Sequence, residues 1–175
     1  MTNLIPAWVD GALTPVEKLA VHQRGLRHLA VSVFVMDGDR VLMQRRALGK
    51  YHTPGLWANT CCTHPLWDEA PQDCARRRLH QELGITGLSP EFRNRVEYRA
   101  DVGGGLTEHE LVDIFVAHAD SATLPLRPDP DEVMETRWQS LPDLRDSVAH
   151  EPDAYTPWLR IYLAQHGSAI FGGGA

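Results

Sequence analysis

Apolar and polar positions predict a chain rich in β-strands. His28 to Met36 is an apolar, β-branched run, and the pair Asp37-Gly38 that follows it is typical of hairpin turns. A second apolar run begins at Arg40, so we predict a β-hairpin here. Further along, a period of two predicts a strand whose buried face carries Phe92, Asn94, Val96, Tyr98 and Ala100.

The segment from Leu106 to Ala119 predicts another strand, with an unusual buried face. Because side chains in a strand alternate between its two sides, Glu108 and Glu110 share a face with Val112, Ile114 and Val116. A carboxylate that faces a core is costly unless a cation or hydrogen bonds offset its desolvation. The two glutamates therefore require a partner.

Helices are predicted between and after these strands. Asp68 to Leu83 has an acidic start, a proline in its first turn, apolar residues four apart and a following glycine as its stop. A short helix is predicted near Pro142 to Val148, and a last helix from a Thr156 cap to Gly167.

The segment from Ala47 to Thr63 contains Gly, Pro, Trp and His without clear periodicity, which predicts a long functional loop that ends in a short extended segment. The pattern as a whole indicates an α/β (α+β) fold, with a mixed β-sheet core flanked by helices. A chain of 175 residues suits one well-packed domain. We expect this domain to cover residues 1–167 and to be followed by a flexible C-terminal tail over 168–175.

Composition narrows the possible partners. The formal charge is −6, and 17 basic residues are scattered along the chain, so neither nucleic acid nor a membrane surface is expected. No apolar run approaches the roughly 20 residues of a membrane span, and the first residues lack a signal-peptide pattern. Three cysteines, two of them adjacent, suit free thiols. We expect a cytoplasmic protein that acts on a small molecule.

Two cysteines and a histidine lie close together in the stretch NTCCTHP, from Asn59 to Pro65. These cysteines could be buried filler, half of a metal site, or a nucleophile or acid/base group beside its histidine. If the segment is extended, Cys62 and His64 lie on one side and Cys61 on the other.

Three separate segments could bring imidazoles to the two inward-facing carboxylates. This set suits a divalent ion with nitrogen and oxygen ligands, more like an octahedral Mn or Mg site or a Zn site than a cysteine-based one. The alternative is ordinary surface or core-edge histidines beside a salt-bridged carboxylate pair. The candidate ligands are His22, His28, His64, Glu108 and Glu110.

The predicted helix near residue 70 and its flanks resemble the Nudix box. The matching positions are Glu69, Arg77, Leu79, Glu82, Gly84 and Ile85. Thr63, Arg78 and Gln81 stand where the box has Gly, Glu and Glu. In Nudix hydrolases the helix glutamates collect Mg²⁺ on a diphosphate so that water can attack phosphorus. The resemblance implies a Nudix-like fold without the usual hydrolysis, because only Glu82 remains of that cluster.

Across most of its length the chain resembles type I isopentenyl diphosphate isomerase. This family interconverts isopentenyl diphosphate and dimethylallyl diphosphate in isoprenoid biosynthesis, by adding a proton to a double bond and removing one from a neighbouring carbon. The matching segments, in chain order, are Glu17–His22, Arg45–Lys50, Pro54–Pro65, Glu82–Gly84, Tyr98–Ala100, Glu108–Glu110 and Pro157–Trp158.

The resemblance implies a role for each matching residue. The metal ligands are the five candidates given above, holding one divalent ion, Mn²⁺, Mg²⁺ or Zn²⁺. Cys62, Glu110 and Tyr98 are the catalytic groups, and Trp158 faces the carbocation that forms. A second ion, Mg²⁺, binds the substrate diphosphate and is held by Glu82. The cations expected on the diphosphate are Lys18, Arg46, Lys50 and Arg78.

Three rival functions leave features unexplained. A Nudix diphosphate hydrolase of altered specificity needs the missing helix carboxylates. A Cys-His acyl-transfer enzyme needs an oxyanion hole and an orienting residue, neither of which is visible in the sequence. A metal-stabilised binding module gives Cys62 and the cationic residues no role.

Overall fold

A computed structural model describes residues 3–172 of the chain, and its centre is a nine-stranded mixed β-sheet. The strands are β1 (Leu4–Val9), β2 (Ala12–Glu17), β3 (Arg27–Asp37), β4 (Arg40–Arg46), β5 (Trp57–Ala58), β6 (Cys61–Thr63), β7 (Glu91–Asp101), β8 (Thr107–His118) and β9 (Val133–Ser140). The helices are α1 (Lys18–Arg24), α2 (Pro71–Leu83), α3 (Leu141–His150), α4 (Pro157–Ile161) and α5 (Gly167–Phe171). The predicted fold class is confirmed.

Strand β3 is the hub of the sheet. It pairs antiparallel with β1, β4 and β6, and parallel with β8 along ten residue pairs. Strand β8 in turn pairs antiparallel with β7. The predicted hairpin forms at β3 and β4, which turn at Gly38 with a φ of 60°. Strands that start far apart in the sequence therefore present neighbouring residues along one sheet.

The two faces of β3 enter different cores, because its side chains alternate. Val31, Val33 and Val35 pack with Leu79 and Leu83 of α2. The opposite face carries Phe34 and Met36, which pack with side chains from α3, α4 and α5. The predicted functional site lies at one end of the face that carries Phe34 and Met36. There the side chains of β3 are polar, at His28 and Ser32.

The Nudix-box helix begins later than the sequence predicts. Asp68 has a φ of 64°, a left-handed conformation that cannot start a right-handed helix. Pro71 is instead the first helical residue, where its missing N–H costs nothing. The predicted stop is confirmed, because Gly84 caps the helix with a φ of 68° and donates its N–H to the His80 carbonyl.

The C-terminal helix does not end at Gly167, as the sequence predicts. Gly167 has helical angles, and the chain passes from α4 through a π-helical segment, Tyr162–His166, into α5. The expectation of a flexible tail is wrong for residues 168–171. Ile170 is only 2% exposed and packs in the core, so burial outweighs the low helix propensity of the nearby glycines. Residues 173–175 lie outside the described residues, and the boundary of the domain at 167 stays a prediction.

Two further features differ from the sequence patterns. The predicted buried face of β7 excludes Phe92, which is 56% exposed, because a register irregularity between Phe92 and Asn94 interrupts the alternation. The hairpin of β1 and β2 was not predicted. It packs Ile5 and Ala7 against Val21, which fixes α1 beside the sheet. Within residues 3–172, no helix is long and apolar enough to cross a membrane.

Candidate active site and metal centre

One row across the sheet brings three predicted site residues together. In the register of β3, β8 and β7, His28 is paired with Glu110, and Glu110 is paired with Tyr98. Glu108 lies two residues from Glu110 and faces the same side, as the alternation predicts. All four side chains are buried. The row is set by backbone pairing, so it exists without any ligand.

Two more histidines reach this row from outside it. His22 lies in α1 and is fully buried, with its ring 4.9 Å from that of His28 between centroids. His64 follows β6, and its Nε2 atom lies 2.9 Å from Glu110 Oε1 and 3.2 Å from His28 Nε2. Ligand atoms of His22, His28, His64 and Glu110 all lie within 4.8 Å of one another. The structure thus brings these four predicted ligands together.

Hydrogen bonds fix which ring nitrogens face the centre. Nδ1 of His22 donates to the Lys18 carbonyl at 2.7 Å, and Nδ1 of His28 donates to the Leu26 carbonyl at 2.7 Å. Both Nε2 atoms therefore carry lone pairs. Nε2 of His22 is buried and has no hydrogen-bond partner among residues 3–172. A buried acceptor without a donor is costly, so this atom fits a bound cation.

In the neutral His28 ring, Nε2 is a hydrogen-bond acceptor, as is the Glu110 carboxylate. Two acceptors this close repel each other. His28 Nε2 and Glu110 Oε1 lie 3.4 Å apart. A single proton on His64 Nε2 can satisfy only one of them. A divalent cation between these atoms would satisfy both, which is the arrangement that metal-binding histidines and carboxylates adopt. The described residues therefore form a buried His/Glu cluster that could hold a divalent metal ion.

The two glutamates are coupled through Tyr98. Its hydroxyl lies 2.7 Å from Glu108 Oε2 and 2.8 Å from Glu110 Oε2, as their shared donor. Burial, together with the charge of Glu110, raises the pKa of Glu108 well above its usual range. Burial would also raise the pKa of Glu110, but the neighbouring imidazoles of His28 and His64 hold it well below its usual range. Of the two carboxyls, Glu108 therefore takes up a proton more readily than Glu110.

His22 and His64 are neutral near pH 7. Burial is the largest effect on His22 and lowers its pKa to about 4. Burial also lowers the pKa of His64 well below its usual range. Neutral imidazole is the form that binds a metal ion, so both rings are ready to act as ligands.

The adjacent cysteines face opposite ways, as the extended segment predicts. Cys61 is fully buried in the apolar core beneath α2, whereas Cys62 faces the cleft that His64 lines. The Cys62 thiol donates to Asn59 Oδ1 at 2.9 Å and lies 3.1 Å from Ser32 Oγ. Burial raises the pKa of Cys62 above its ordinary value. The thiol is therefore protonated and held in a fixed direction.

The four predicted cations line the same cleft: Lys18, Arg46, Lys50 and Arg78. Burial, with the nearby positive charges, lowers the pKa of Lys18 to about 8. Like charges held this close repel one another, so an anion placed among them is stabilised. Within the described part of the chain, Arg46 Nε is buried without a hydrogen-bond partner, and it is available to such an anion.

An unpredicted carboxylate, Glu132, pairs with two of these cations. Lys50 donates to it, and Arg78 lies 3.2 Å from it. Arg78 also donates to Glu82 at 2.6 Å. No sequence pattern indicated this contact, because Glu132 follows an acidic loop with the composition of a solvated turn.

Glu82 and Trp158 occupy the edges of the site. Glu82 is buried and accepts hydrogen bonds from Arg78 and from Gln44, at 3.0 Å in the latter case. Glu82 does not belong to the clusters of His and Glu ligand atoms that lie within 4.8 Å of one another in the described residues. Its role as a Mg²⁺ ligand therefore stays a prediction. Trp158 lines the cleft and lies under the Arg46 guanidinium, 5.3 Å from the ring centroid.

Sequence reasoning missed His52 and Tyr162. His52 lines the cleft from the loop between β4 and β5 and is only 6% exposed. That loop lacks periodicity, so nothing in the sequence indicated which way the ring points. Tyr162, in the π-helical segment, accepts a hydrogen bond from Ser32 at 3.2 Å. π-Helical turns are frequent at functional sites, but they have no sequence pattern that marks them beforehand.

Comparison with known proteins identifies the family. Residues 26–159 match the model of the NUDIX domain. A Cereibacter sphaeroides protein named isopentenyl-diphosphate Delta-isomerase is 69% identical over 172 residues, covering 98% of this chain and 97% of its own. Proteins of the same name from Dinoroseobacter shibae and Ruegeria pomeroyi are 66% and 60% identical, each over 98% of this chain and over 97% and 95% of their own.

Solved structures support the fold independently of the sequence. A Deinococcus radiodurans protein has a TM-score of 0.72 at 13% identity, over 91% of this chain and 96% of its own. A MutT NUDIX hydrolase from Burkholderia pseudomallei has a TM-score of 0.62 at 24% identity, over 80% of this chain and 98% of its own. At such identities the likeness concerns the fold alone. The near full-length identity to the named relatives decides the family, and the chain belongs to the isopentenyl-diphosphate Delta-isomerases, built on a NUDIX domain.

Proposed function

We propose that this protein interconverts isopentenyl diphosphate and dimethylallyl diphosphate. The observation that carries the proposal is one cleft in which the Cys62 thiol, the Glu110 carboxylate, Tyr98 and the cationic cluster all meet. A thiol and a carboxylate can handle the two protons of a double-bond shift, and the cations suit a diphosphate. Family membership supports the same reaction.

The reaction needs one group to add a proton and another to remove one. A protonated Cys62 thiol gives its proton to the terminal carbon of the double bond, which leaves a tertiary carbocation. Glu110, with a lowered pKa, takes a proton from the neighbouring carbon on the diphosphate side, and the double bond forms there. In the reverse direction the two groups exchange roles. Tyr98 holds the Glu110 carboxylate in position through its hydroxyl.

The carbocation must be protected from water until the second proton leaves. Trp158 is 2% exposed and offers an aromatic face, which attracts a cation through the ring quadrupole. The Cys62 side chain is half-buried, and its thiol is held by Ser32 and Asn59. A dry, fixed arrangement of this kind limits quenching of the intermediate.

Two ions belong to this proposal. His22, His28, His64, Glu108 and Glu110 would hold one divalent ion, Mn²⁺, Mg²⁺ or Zn²⁺, which supplies positive charge that stabilises the ionised carboxylates. A Mg²⁺ ion would arrive with the diphosphate and bind Glu82 once that carboxylate separates from Arg78. Lys18, Arg46, Lys50 and Arg78 would hold the diphosphate oxygens.

The hydrolase alternative has weaker support. Hydrolysis by the Nudix mechanism needs a cluster of helix carboxylates on several Mg²⁺ ions. In this chain Glu82 is the helix carboxylate in place, and it is neutralised by Arg78. Arg78 can hold a diphosphate but cannot bind a metal ion. A cytoplasmic location, and the expectation of neither nucleic acid nor membrane as partner, remain predictions from composition.

The test is the product formed from isopentenyl diphosphate and Mg²⁺. Purified protein should yield dimethylallyl diphosphate without inorganic phosphate or diphosphate, measured by ³¹P and ¹H NMR. In heavy water, solvent deuterium should enter the carbons that exchange protons. Stoichiometric phosphate release without isomer would overturn the proposal in favour of hydrolysis. Turnover without deuterium incorporation would contradict protonation and deprotonation.

A further inference from the structure

His52 is a fourth buried imidazole beside the proposed metal site. Its ring stacks on that of His22, with 5.6 Å between centroids and 26° between planes. Its Nε2 atom lies 3.6 Å from Glu108 Oε1. Its position in the loop after β4 gave no sequence signal, and the family resemblance assigns it no role. Two findings about the donor atoms bear on what it does.

The first finding concerns spacing. His28 Nε2, His64 Nε2 and Glu110 Oε1 are separated by 3.2, 2.9 and 3.4 Å. Donors at right angles around an ion, each about 2.1 Å from it, lie roughly 3 Å apart. These three atoms therefore have the spacing of one face of an octahedral site.

The second finding is another set of three donors. Ligand atoms of His22, His52 and Glu108 lie within 4.8 Å of one another. Tyr98 is shared between the Oε2 atoms of the two glutamates. Oε1 of Glu108 is consequently turned toward His52, just as Oε1 of Glu110 is turned toward His64. Within this second set, His52 Nε2 and Glu108 Oε1 are 3.6 Å apart.

His22 is a member of two groups of donors. Its ligand atom lies within 4.8 Å of those of His28, His64 and Glu110, and also of those of His52 and Glu108. This shared membership limits the number of ions. Its Nδ1 atom is engaged with the Lys18 carbonyl, so only Nε2 can bind. One lone pair binds one ion, and the two sets cannot each hold an ion through His22. The unpartnered Nε2 atom is buried at the junction of the sets. His22 Nε2 can therefore serve a single ion, toward which the donors of His52 and Glu108 would have to close.

We propose that His52 is a ligand of this ion, which would then have four imidazoles and two carboxylates around it. The inference rests on the metal site in the proposed function and adds a sixth protein donor to it. Imidazole nitrogen suits ions such as Zn²⁺ and Co²⁺, whereas Mg²⁺ prefers oxygen ligands.

Neighbouring contacts hold the His52 ring in a suitable orientation. Nδ1 lies 3.2 Å from Thr53 Oγ1, and a ring that donates from Nδ1 keeps its Nε2 lone pair for the ion. The His52 carbonyl accepts a hydrogen bond from Arg46 at 3.1 Å, which fixes the backbone.

The number of histidine ligands can be counted by proton NMR of the Co²⁺-loaded protein. Each imidazole bound through Nε2 carries an exchangeable Nδ1–H, whose resonance paramagnetic Co²⁺ shifts far outside the normal range. Wild-type protein should show four such signals that vanish in heavy water. His52→Gln should show three, whereas His118→Gln, the same change at an exposed strand residue, should keep four. Three signals in the wild type would overturn the proposal.

Affinity gives a second measurement. Loss of an outer-shell partner of a metal ligand typically costs 10–100-fold in affinity, so loss of a direct ligand should cost about 100-fold or more. Titration against a chelator should show this loss of Co²⁺ or Zn²⁺ affinity for His52→Gln and none for His118→Gln. Unchanged affinity in a folded His52→Gln protein would overturn the proposal. If that variant does not fold, the wild-type signal count still decides.

Isomer formation measured on the same samples separates the two proposals. If the wild-type protein forms isomer but shows only three exchangeable Nδ1–H signals, His52 hydrogen-bonds Glu108 without binding the ion. In that case the inference about His52 fails, and the proposed function stands. Four signals without isomer support the ligand and overturn the function.

Discussion

Cys61 and Cys62 are neighbours in β6, yet they belong to opposite regions of the molecule. Cys61 is fully buried and lies among valines and leucines of β3, β4 and α2. Cys62 lies in a cleft with glutamates, histidines and four cations. One residue of offset moves a thiol from apolar packing to a site of proton transfer, because successive side chains in a strand point to opposite faces.

The same contrast extends along β3 and β8. On one face, Val31, Val33 and Phe115 pack against the helix layer. On the other, Ser32, His28 and Glu110 form part of a polar site that is nearly as buried. Polar burial of this kind requires that every group have a partner or a ligand. The apolar face stabilises the fold. The polar face holds buried groups that need a bound ligand as a partner. The following predictions test this division.

Cys62→Ala should have the largest effect. It removes a proton-transfer group, which commonly costs about two orders of magnitude in rate or more. Metal content and melting temperature should stay near those of the wild type, because Cys62 is not among the grouped metal donors. Turnover measured by isomer formation checks the rate. Nearly normal turnover in a folded variant would place the chemistry elsewhere.

Glu108→Gln should have the next largest effect, on metal binding. A neutral amide removes one unit of charge and a strong ligand, so affinity for the divalent ion should fall by at least about 10-fold, and activity with it. Metal analysis after dialysis measures this. Glu135→Gln, the same change at an exposed position in β9, serves as the control. Full metal occupancy in Glu108→Gln would exclude Glu108 as a ligand.

The affinity for substrate should depend on the charge of Lys18. Its pKa is lowered to about 8, so the lysine is charged below that pH and becomes neutral as pH rises. The KM for isopentenyl diphosphate should therefore rise above pH 8, by several-fold and at most about 10-fold per pH unit. Lys18→Arg should remove this rise and keep a low KM, because arginine stays charged. Lys18→Gln should have a raised KM at every pH, without the further rise above pH 8. If the rise above pH 8 persists in Lys18→Gln, another group is responsible for it.

Cys61→Ala should have the smallest effect and completes the comparison. It removes a small buried side chain from the apolar core, at a cost of about 1 kcal/mol in the free energy of unfolding. Turnover and metal content should be nearly unchanged. Chemical denaturation and isomer formation measure the two quantities. A dead Cys61→Ala beside an active Cys62→Ala, both folded, would reverse the assignment of the two faces.

Local patterns in the sequence predicted much of this fold. The alternation in β8 placed Glu108 and Glu110 inward, and the hairpin at Asp37-Gly38 formed as predicted. Patterns failed where contacts with the rest of the chain decide the outcome. The segment Gly167–Phe171 is helical because the Ile170 side chain is buried in the core, and a local pattern cannot detect that burial.

For the predicted site, too, local patterns indicated some residues and missed others. Nearly all of its residues were identified from motifs, and the structure brings His22, His28, His64 and Glu110 together. His52 and Glu132 were not predicted, since each lies in a loop or turn without periodicity. Their positions depend on how the loop after β4 and the start of β9 fold over the sheet.

The sequence by itself determined that Glu108 and Glu110 share one face of β8, and it separated Cys62 from Cys61. This is a property of strand geometry and needs no tertiary contact. Only the tertiary structure decided which strands are neighbours, so that His28, Glu110 and Tyr98 form one row. It also decided that Glu108 faces His52. Register between distant strands and the path of a loop follow from the packing of the whole chain, which no local pattern encodes.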